Sequence, residues 1–367
     1  YDVVGISCVA SSAPRAFELA DRFRELGSFV VLGGPHPTAD PSGCALHADC
    51  VVRGPAEKHW PDILRKRAAG QPVPALYEID APAVLSAPVP LRARSVGRYM
   101  PVPTVFATRG CPNDCGFCTV ASHCSFRTCA RPVDEVLAEV RSLGSRRVLF
   151  LDPNLLGDRA YALRLLDGMA EHRVAWSGAA TVDVAHDEEL LSALERSRCE
   201  GLLIGFESLS ADSLGRLGKW RNNAERYVEA VRALRHRRIS VLGCFVLGLD
   251  GDDLGSFDRT AGFIERSGID LPRFSIATPL PGSALYAGMS AAGRLITRDL
   301  TRYDTFETVF VPESMSAAEL DAGFRHVTRR AFSWEQTLRR TIGARRSPGL
   351  ALLANGVFRQ YYRARLR

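Results

Sequence analysis

Between Arg109 and Cys129 the chain reads RGCPNDCGFCTVASHCSFRTC, and five of its ten cysteines fall in that one polar segment. Sulfurs so concentrated can staple a chain, hold a zinc ion or build a reactive metal centre. Disulfide-dense scaffolds are small and secreted, whereas this chain has 367 residues. Structural zinc commonly takes two Cys pairs, or Cys/His pairs. Cys111, Cys115 and Cys118 form a single C-x-x-x-C-x-x-C triplet, which His123 or Cys124 would have to complete. Three thiolates on one loop also suit three irons of a cubane cluster, leaving the fourth iron open to an external ligand. The triplet follows TVFATRG, a strand candidate, so the sulfurs stand at a strand's carboxyl end.

Outward from that segment the chain alternates strand-like and helix-like stretches. On its N-terminal side, VVGIS, FVVLGG and DCVVRG are short apolar runs, and Ala13 to Gly27 carries Leu19, Phe23 and Leu26 at helical spacing. This is the βαβ rhythm of a doubly wound parallel sheet, which binds ligands beyond the carboxyl ends of its strands. Ser7, Ser11, Gly33 and Gly34 lie at those ends, and glycine there admits a large ligand close to the backbone. On the C-terminal side, TVFATRG, RRVLFLD, VAWSGAAT, GLLIGFES, ISVLGCFVLGLD and RFSIATPL are strand candidates separated by helical patterns. Val133, Val136, Leu137 and Val140 follow one helix face, with Asp134 and Glu135 suited to its positive end. Repeated βα units predict a full or partly closed parallel barrel with its functional residues at strand ends. Cys111, Asp152, Glu207 and Asp250 fall there.

Composition is that of an ordinary protein with a full core, at 46% hydrophobic and 24% charged residues. No apolar run approaches the roughly 20 residues that cross a bilayer. The opening YDVVGISCVA reads as a strand entered mid-domain, which predicts a fragment without its natural N-terminus. The net charge is +6, and Arg339 to Arg367 holds eight arginines and no acids. Such a segment suits a nucleic-acid or anionic-lipid patch; the favoured reading is a terminal helix with one apolar and one solvated basic face. The limits read as 1–70 for the first sheet domain, 71–103 for a Pro-rich linker, 104–290 for the barrel and 291–367 for a mostly helical region.

The triplet CPNDCGFC, with an aromatic residue before its last cysteine, resembles the radical S-adenosylmethionine (radical SAM) superfamily. The resemblance implies that Cys111, Cys115 and Cys118 ligate a [4Fe-4S] cluster, and that Phe117 lies near the adenine of S-adenosylmethionine. LDPNLLGD resembles a family segment that reads Asp-Asp-Asn; Asp152 and Asn154 match and Pro153 departs. IGFES resembles the segment whose acid contacts the ribose hydroxyls, which makes Glu207 that acid. A carboxylate can accept from both hydroxyls, which explains the residue type.

The front end, with GGPHPT and HADCVVRGPAEKHWPDIL, resembles the cobalamin-binding domain of one radical SAM subgroup, whose C-terminal part TPLPGSALY, GRL and MSAAEL also match. The implied fold class is α/β: a truncated doubly wound, Rossmann-like domain, a partial (β/α) barrel and a helical C-terminal region. Ser7, Ser11, Gly33 and Gly34 would line the corrin and its nucleotide tail. Gly54-Pro55-Ala56-Glu57 stands where the subgroup has Gly-Glu-x-Glu, so one acid is lost. His36 of GGPHPT would face the corrin or be satisfied by backbone. Cys124 and Cys129 would pack or bind a second cluster, and Cys199 and Cys244 would pack as small apolar residues.

The resemblance therefore implies a cobalamin-dependent methyltransferase. One S-adenosylmethionine methylates the cobalt and another gives a 5′-deoxyadenosyl radical that takes hydrogen from an unactivated carbon. Its partners would be a small-molecule substrate and a flavodoxin- or ferredoxin-like electron donor, with no nucleic acid, in a reducing cytoplasm. A radical SAM dehydratase or rearrangement enzyme using its front domain as scaffold is the alternative. A corrin or cluster sensor stands further off.

Overall fold

The computed structural model describes residues 1–78, 102–120, 128–219, 222–344 and 348–366. In chain order its elements are β1 (Val3–Ser7), α1 (Ala13–Glu25), β2 (Phe29–Gly33), α2 (Pro35–Ala39), α3 (Pro41–Ala45), β3 (Cys50–Val52), α4 (His59–Ala68) and β4 (Leu76–Tyr77). There follow β5 (Thr104–Val105), β6 (Thr108–Arg109), β7 (Cys129–Ala130), α5 (Val133–Ser142), β8 (Arg147–Phe150), α6 (Arg159–His172), β9 (Ala175–Ala180), α7 (Glu188–Arg196) and β10 (Cys199–Glu207). The rest are α8 (Ala211–Arg216), α9 (Tyr227–His236), β11 (Ser240–Leu247), α10 (Gly255–Ser267), β12 (Leu271–Ile276), α11 (Ala284–Ala291), α12 (Ala317–Ala331), α13 (Trp334–Gly343) and α14 (Pro348–Arg365). Cys124 and most of the Pro-rich stretch lie outside the described residues.

Two compact units result. The first gathers the described residues of Tyr1–Ala83, Gly110–Cys129 and Thr278–Val311. Its sheet runs β1-β2-β3-β4, all parallel, with Ser7 opposite Gly33. Val30, Val31 and Leu32 are buried in succession, as a strand covered on both faces requires. Val30 and Leu32 pack with Ala20, Cys44 and Val51, while Val31 packs with Cys50, Val52 and Ile63 on the other face. Burial pushes the Cys44 and Cys50 thiols up to about 12, so both are inert apolar fillers. Leu76 and Tyr77 pair with Val51 and Val52, so residues whose composition suggests a linker add a fourth strand. Leu300, far along the chain, packs on Cys8, Ala13 and Ala16.

The second unit gathers the described residues of Val84–Arg109, Ala130–Ala277 and Pro312–Arg367. Its six parallel strands follow chain order, β5-β8-β9-β10-β11-β12, and the end strands do not pair with each other among the described residues. The sheet is therefore open, as the partial barrel predicts. Leu202, Ile204, Phe206, Val241, Phe245 and Phe274 are buried on one face. There Phe206 stacks on Phe245 at 5.6 Å and meets Tyr227 edge-on at 4.8 Å. Such aromatic pairs add to what area burial alone supplies.

The C-terminal region is helical, but two of its arginines are not solvated. Arg340 donates to Asn355 Oδ1 and to the Ala331 carbonyl, both at 2.7 Å, and burial lowers its pKa to about 10. Arg359 lies 4.2 Å over the Trp334 ring and donates to the Phe332 carbonyl. Instead Leu338, Ile342, Leu353 and Val357 are exposed. Among the described residues no helix is long and apolar enough to cross a membrane.

Candidate functional site

In the first unit, the ends of β1 and β2 are tied to the start of α2. The Cys8 N–H donates to Gly33 O at 3.2 Å, and the His36 N–H donates to Cys8 O at 3.0 Å. Gly34 has φ +94, and a Cβ there would stand 2.4 Å from Ser7 Oγ. Only glycine fits that left-handed, crowded position. Ser7, Gly33 and Gly34 thus meet at the carboxyl edge of the sheet, and Ser11 follows in the turn Ala10–Ser12; Ser7 is exposed and the other three are half-buried. His36 is 3% exposed, and neither ring nitrogen meets a hydrogen-bond partner among the described residues. A backbone-satisfied histidine is therefore not what the structure holds. Burial lowers its pKa, so the ring is neutral at pH 7 and can accept as well as donate. Two unpaired buried nitrogens beside an open glycine edge fit a large polar-edged cofactor such as a corrin with its amides.

The same unit contains the cysteine loop. Gly110, at φ +83, turns the chain into it. The Cys118 N–H donates to Cys115 O at 2.8 Å, and the Val120 N–H donates to Cys118 Sγ at 3.4 Å. An N–H aimed at sulfur favours the thiolate, the form a metal requires. Leu285, at the start of α11, donates to Gly116 O at 2.8 Å and pins the loop's middle. Cys115 is buried, and Cys111, Phe117 and Cys118 are half-buried. Among the described residues no three His, Cys, Asp or Glu side chains converge as ligands of one ion do. Three thiols on one loop can each take one iron of a cubane cluster.

The second unit holds the other candidates. Asp152, 2% exposed, sits just past β8. The Ala107 N–H donates to both its carboxylate oxygens at 3.2 Å, and Thr108 donates from its N–H and, at 2.6 Å, from Oγ1. Burial raises its pKa, against the pull of these donors. The carboxylate is thus turned to the backbone three residues ahead of Cys111 in the chain, a holding role that the motif does not reveal. Arg131 and Tyr161 grip the same stretch, donating to Phe106 O at 2.9 Å and Ala107 O at 3.3 Å. Arg131 is itself paired with buried Glu139 at 2.6 Å. Asn154, 3% exposed, keeps an Oδ1 with no partner among the described residues. A buried acceptor left unmade costs about 1–3 kcal/mol, so the atom fits an external donor.

Glu207 closes β10 at φ +65, where the pairing with β11 shifts register at Gly205. Its Oε1 accepts from Lys219 Nζ at 3.0 Å. The strand end is fixed by Asn222, which donates to Gly205 O and Phe206 O at 3.1 Å, and by Tyr227, which donates to Phe206 O at 2.8 Å. Lys219, Asn222 and Tyr227 carry no motif; only the fold brings them to Glu207. Cys244 lies on β11, its thiol pushed up to about 12 by burial and then by Glu207, which makes it inert. After β11 the buried acid is Asp252, not Asp250. It accepts from the Gly248 and Leu249 N–H groups at 3.1 Å and from Ser213 Oγ at 3.0 Å, and burial raises its pKa.

Comparison with known proteins places the chain in one lineage. Residues 105–264 match the radical SAM superfamily and residues 1–64 match the B12 binding domain. Bacteriochlorophyllide d C-12(1)-methyltransferase of Chlorobaculum tepidum is 31% identical over 94% of this chain and 77% of its own length. Bacteriochlorophyllide d C-8(2)-methyltransferase of the same organism is 26% identical over 93% of this chain and 80% of its own. Among solved structures, the radical S-adenosylmethionine methyltransferase TsrM of Kitasatospora setae, with tryptophan substrate and a SAM analogue, superposes at a TM-score of 0.73. It is 14% identical, over 99% of this chain and 89% of that one, and shows the fold. Matching the relative over most of both lengths and carrying both domains in this order, the protein belongs to the radical SAM superfamily, among the enzymes that carry a B12-binding domain ahead of the radical domain.

Proposed function

We propose that this chain transfers a methyl group from S-adenosylmethionine, through cobalamin, to a carbon too weakly nucleophilic to attack a sulfonium directly. The observation that carries the reading is the joint presence of the thiol triplet and the B12-binding sheet in one chain. The two Chlorobaculum relatives are named for methylation at carbon positions, which supports carbon as the acceptor. When bound, the cluster, S-adenosylmethionine and cobalamin supply the sulfonium cleavage and methyl delivery, and the protein orients them.

In this reading Cys111, Cys115 and Cys118 hold the cluster, and Phe117 covers the adenine. Asn154 Oδ1 accepts from a polar group of S-adenosylmethionine, and Glu207 accepts from the ribose hydroxyls. Lys219 holds the Glu207 carboxylate in place through Oε1. Asp152 acts on the cofactor indirectly, by fixing Ala107 and Thr108. Ser7, Ser11, Gly33 and Gly34 line the corrin side. Residues 1–70 form the cobalamin module and 104–290 the radical core. A flavodoxin- or ferredoxin-like donor supplies the electron, in a reducing cytosol that spares the cluster.

A second reading, dehydration or rearrangement with the N-terminal sheet as scaffold only, draws on Pro55 standing where the subgroup has Glu. One preparation separates the two. Anaerobic reconstitution with iron, sulfide and hydroxocobalamin, followed by gel filtration, should leave both cluster and corrin absorbance on the protein. With methyl-labelled S-adenosylmethionine and substrate, label should enter the product. Label found only in methionine and unreacted cofactor would sink the methyltransferase.

A further inference from the structure

Two helices of the C-terminal region are built inside out. On α13 the buried side chains are Gln336, Thr337 and Arg340, while Trp334, Leu338 and Ile342 are at least 51% exposed. Those three stand at i, i+4 and i+8, one stripe along the helix. On α14 the buried side chains are Asn355, Arg359 and Tyr362. Leu353, Val357 and Tyr361, again at i, i+4 and i+8, are at least 44% exposed. Single exposed leucines are ordinary, but ordered apolar stripes opposite polar buried faces mark a surface that contacts something.

The inward faces are held by hydrogen bonds. Arg340 donates to Asn355 Oδ1 at 2.7 Å, Asn355 donates to Asp270 O at 3.1 Å, and Arg359 donates to Phe332 O at 2.5 Å. Rolling either helix to bury its apolar stripe would break these bonds and leave buried groups unmade. The stripes therefore stay outward. Charge then selects what covers them. Arg339 to Arg367 holds eight arginines and no acid, and Glu335 is the sole acid of the two helices. Arg339, next to Leu338, and Arg363 and Arg365, past Tyr361, are exposed. A second copy would bring the same arginines against themselves. A nucleic acid pairs with arginine but gives aliphatic side chains nothing to enter, since its bases stack on aromatic rings. An anionic bilayer surface takes both, with apolar side chains at the acyl boundary and guanidinium groups at the phosphates. Neither helix is long and apolar enough to cross it, so the contact lies along the surface.

We propose that α13 and α14 seat this chain on an anionic lipid surface. The inference does not depend on the methyltransferase reading. The full chain is sedimented with sucrose-loaded vesicles of phosphatidylcholine, with and without about one-third phosphatidylglycerol. Wild type should bind the anionic vesicles at least about tenfold more tightly than the neutral ones. Leu338→Gln with Ile342→Gln, and Leu353→Gln with Val357→Gln, keep charge and helix propensity. Each pair should weaken binding at least about tenfold with melting temperature retained. Arg339→Gln and Arg363→Gln should each weaken it about fivefold. Leu46→Gln, at an exposed leucine of the first unit, should leave it unchanged. Absence of binding to anionic vesicles overturns the proposal. So does binding that both apolar pairs leave undiminished, which charge alone would give and an acidic protein surface could equally supply. A dimer in sedimentation velocity that either apolar pair dissolves would assign the face to a second copy instead.

Discussion

Cys115 is the most enclosed thiol of the triplet, and serine there keeps shape while removing a soft ligand. Cys115→Ser should lower iron bound after reconstitution by at least about tenfold, measured with the visible cluster absorbance. Asn154→Ala should have the opposite profile. Its orphaned oxygen stabilises nothing in the empty protein, so unfolding free energy should change by less than about 1 kcal/mol while S-adenosylmethionine binding weakens by about tenfold. Equal losses in both measurements would make Asn154 a packing residue. At this scale the sequence tells much about covalent spacing and little about direction. Three cysteines in eight positions, with Phe117 before the last, carry the resemblance that implies an iron–sulfur loop before any coordinate. By contrast LDGDDLG offers three acids, and only the turn after β11 determines that Asp252 points inward. His36 was equally ambiguous until burial showed both ring nitrogens without partners.

Elements set where these residues stand. At the end of β10 a Cβ on residue 205 would run into Glu207 Oε1, so a side chain there must push that carboxylate aside. Gly205→Val should displace that carboxylate, weakening S-adenosylmethionine binding at least about tenfold with iron content unchanged. Tyr227→Phe removes one hydrogen bond to Phe206 O and should cost about 1 kcal/mol in urea unfolding. Between α10 and α12, Arg330 beside Glu265 holds its carboxyl below the usual range. That pair stabilises above pH 4.5, the ordinary value, and its contribution is lost as pH falls through the lower folded value. Glu265→Gln should therefore cost about 1 kcal/mol or less at pH 7, and nothing once the pH lies below both values. The strands and helices were legible because apolar periodicity records them. Lys219 and Asn222 were not, since a loop's reach back to a strand end leaves no period.

Across the whole molecule, the repeated βα pattern carried the architecture: six parallel strands in chain order and an open sheet. What it could not carry was the return of Thr278–Val311 to the N-terminal unit, where Leu300 meets Ala13 and Leu285 meets Gly116. Contacts separated by hundreds of residues follow from packing, and no local pattern specifies them. All of the proposed chemistry depends on an iron corner that the protein leaves for S-adenosylmethionine. The direct test is electron paramagnetic resonance of the anaerobically reconstituted, reduced protein before and after S-adenosylmethionine is added. The account predicts a cubane signal whose line shape changes on addition; a signal that stays the same, or zinc in place of iron, would contradict it.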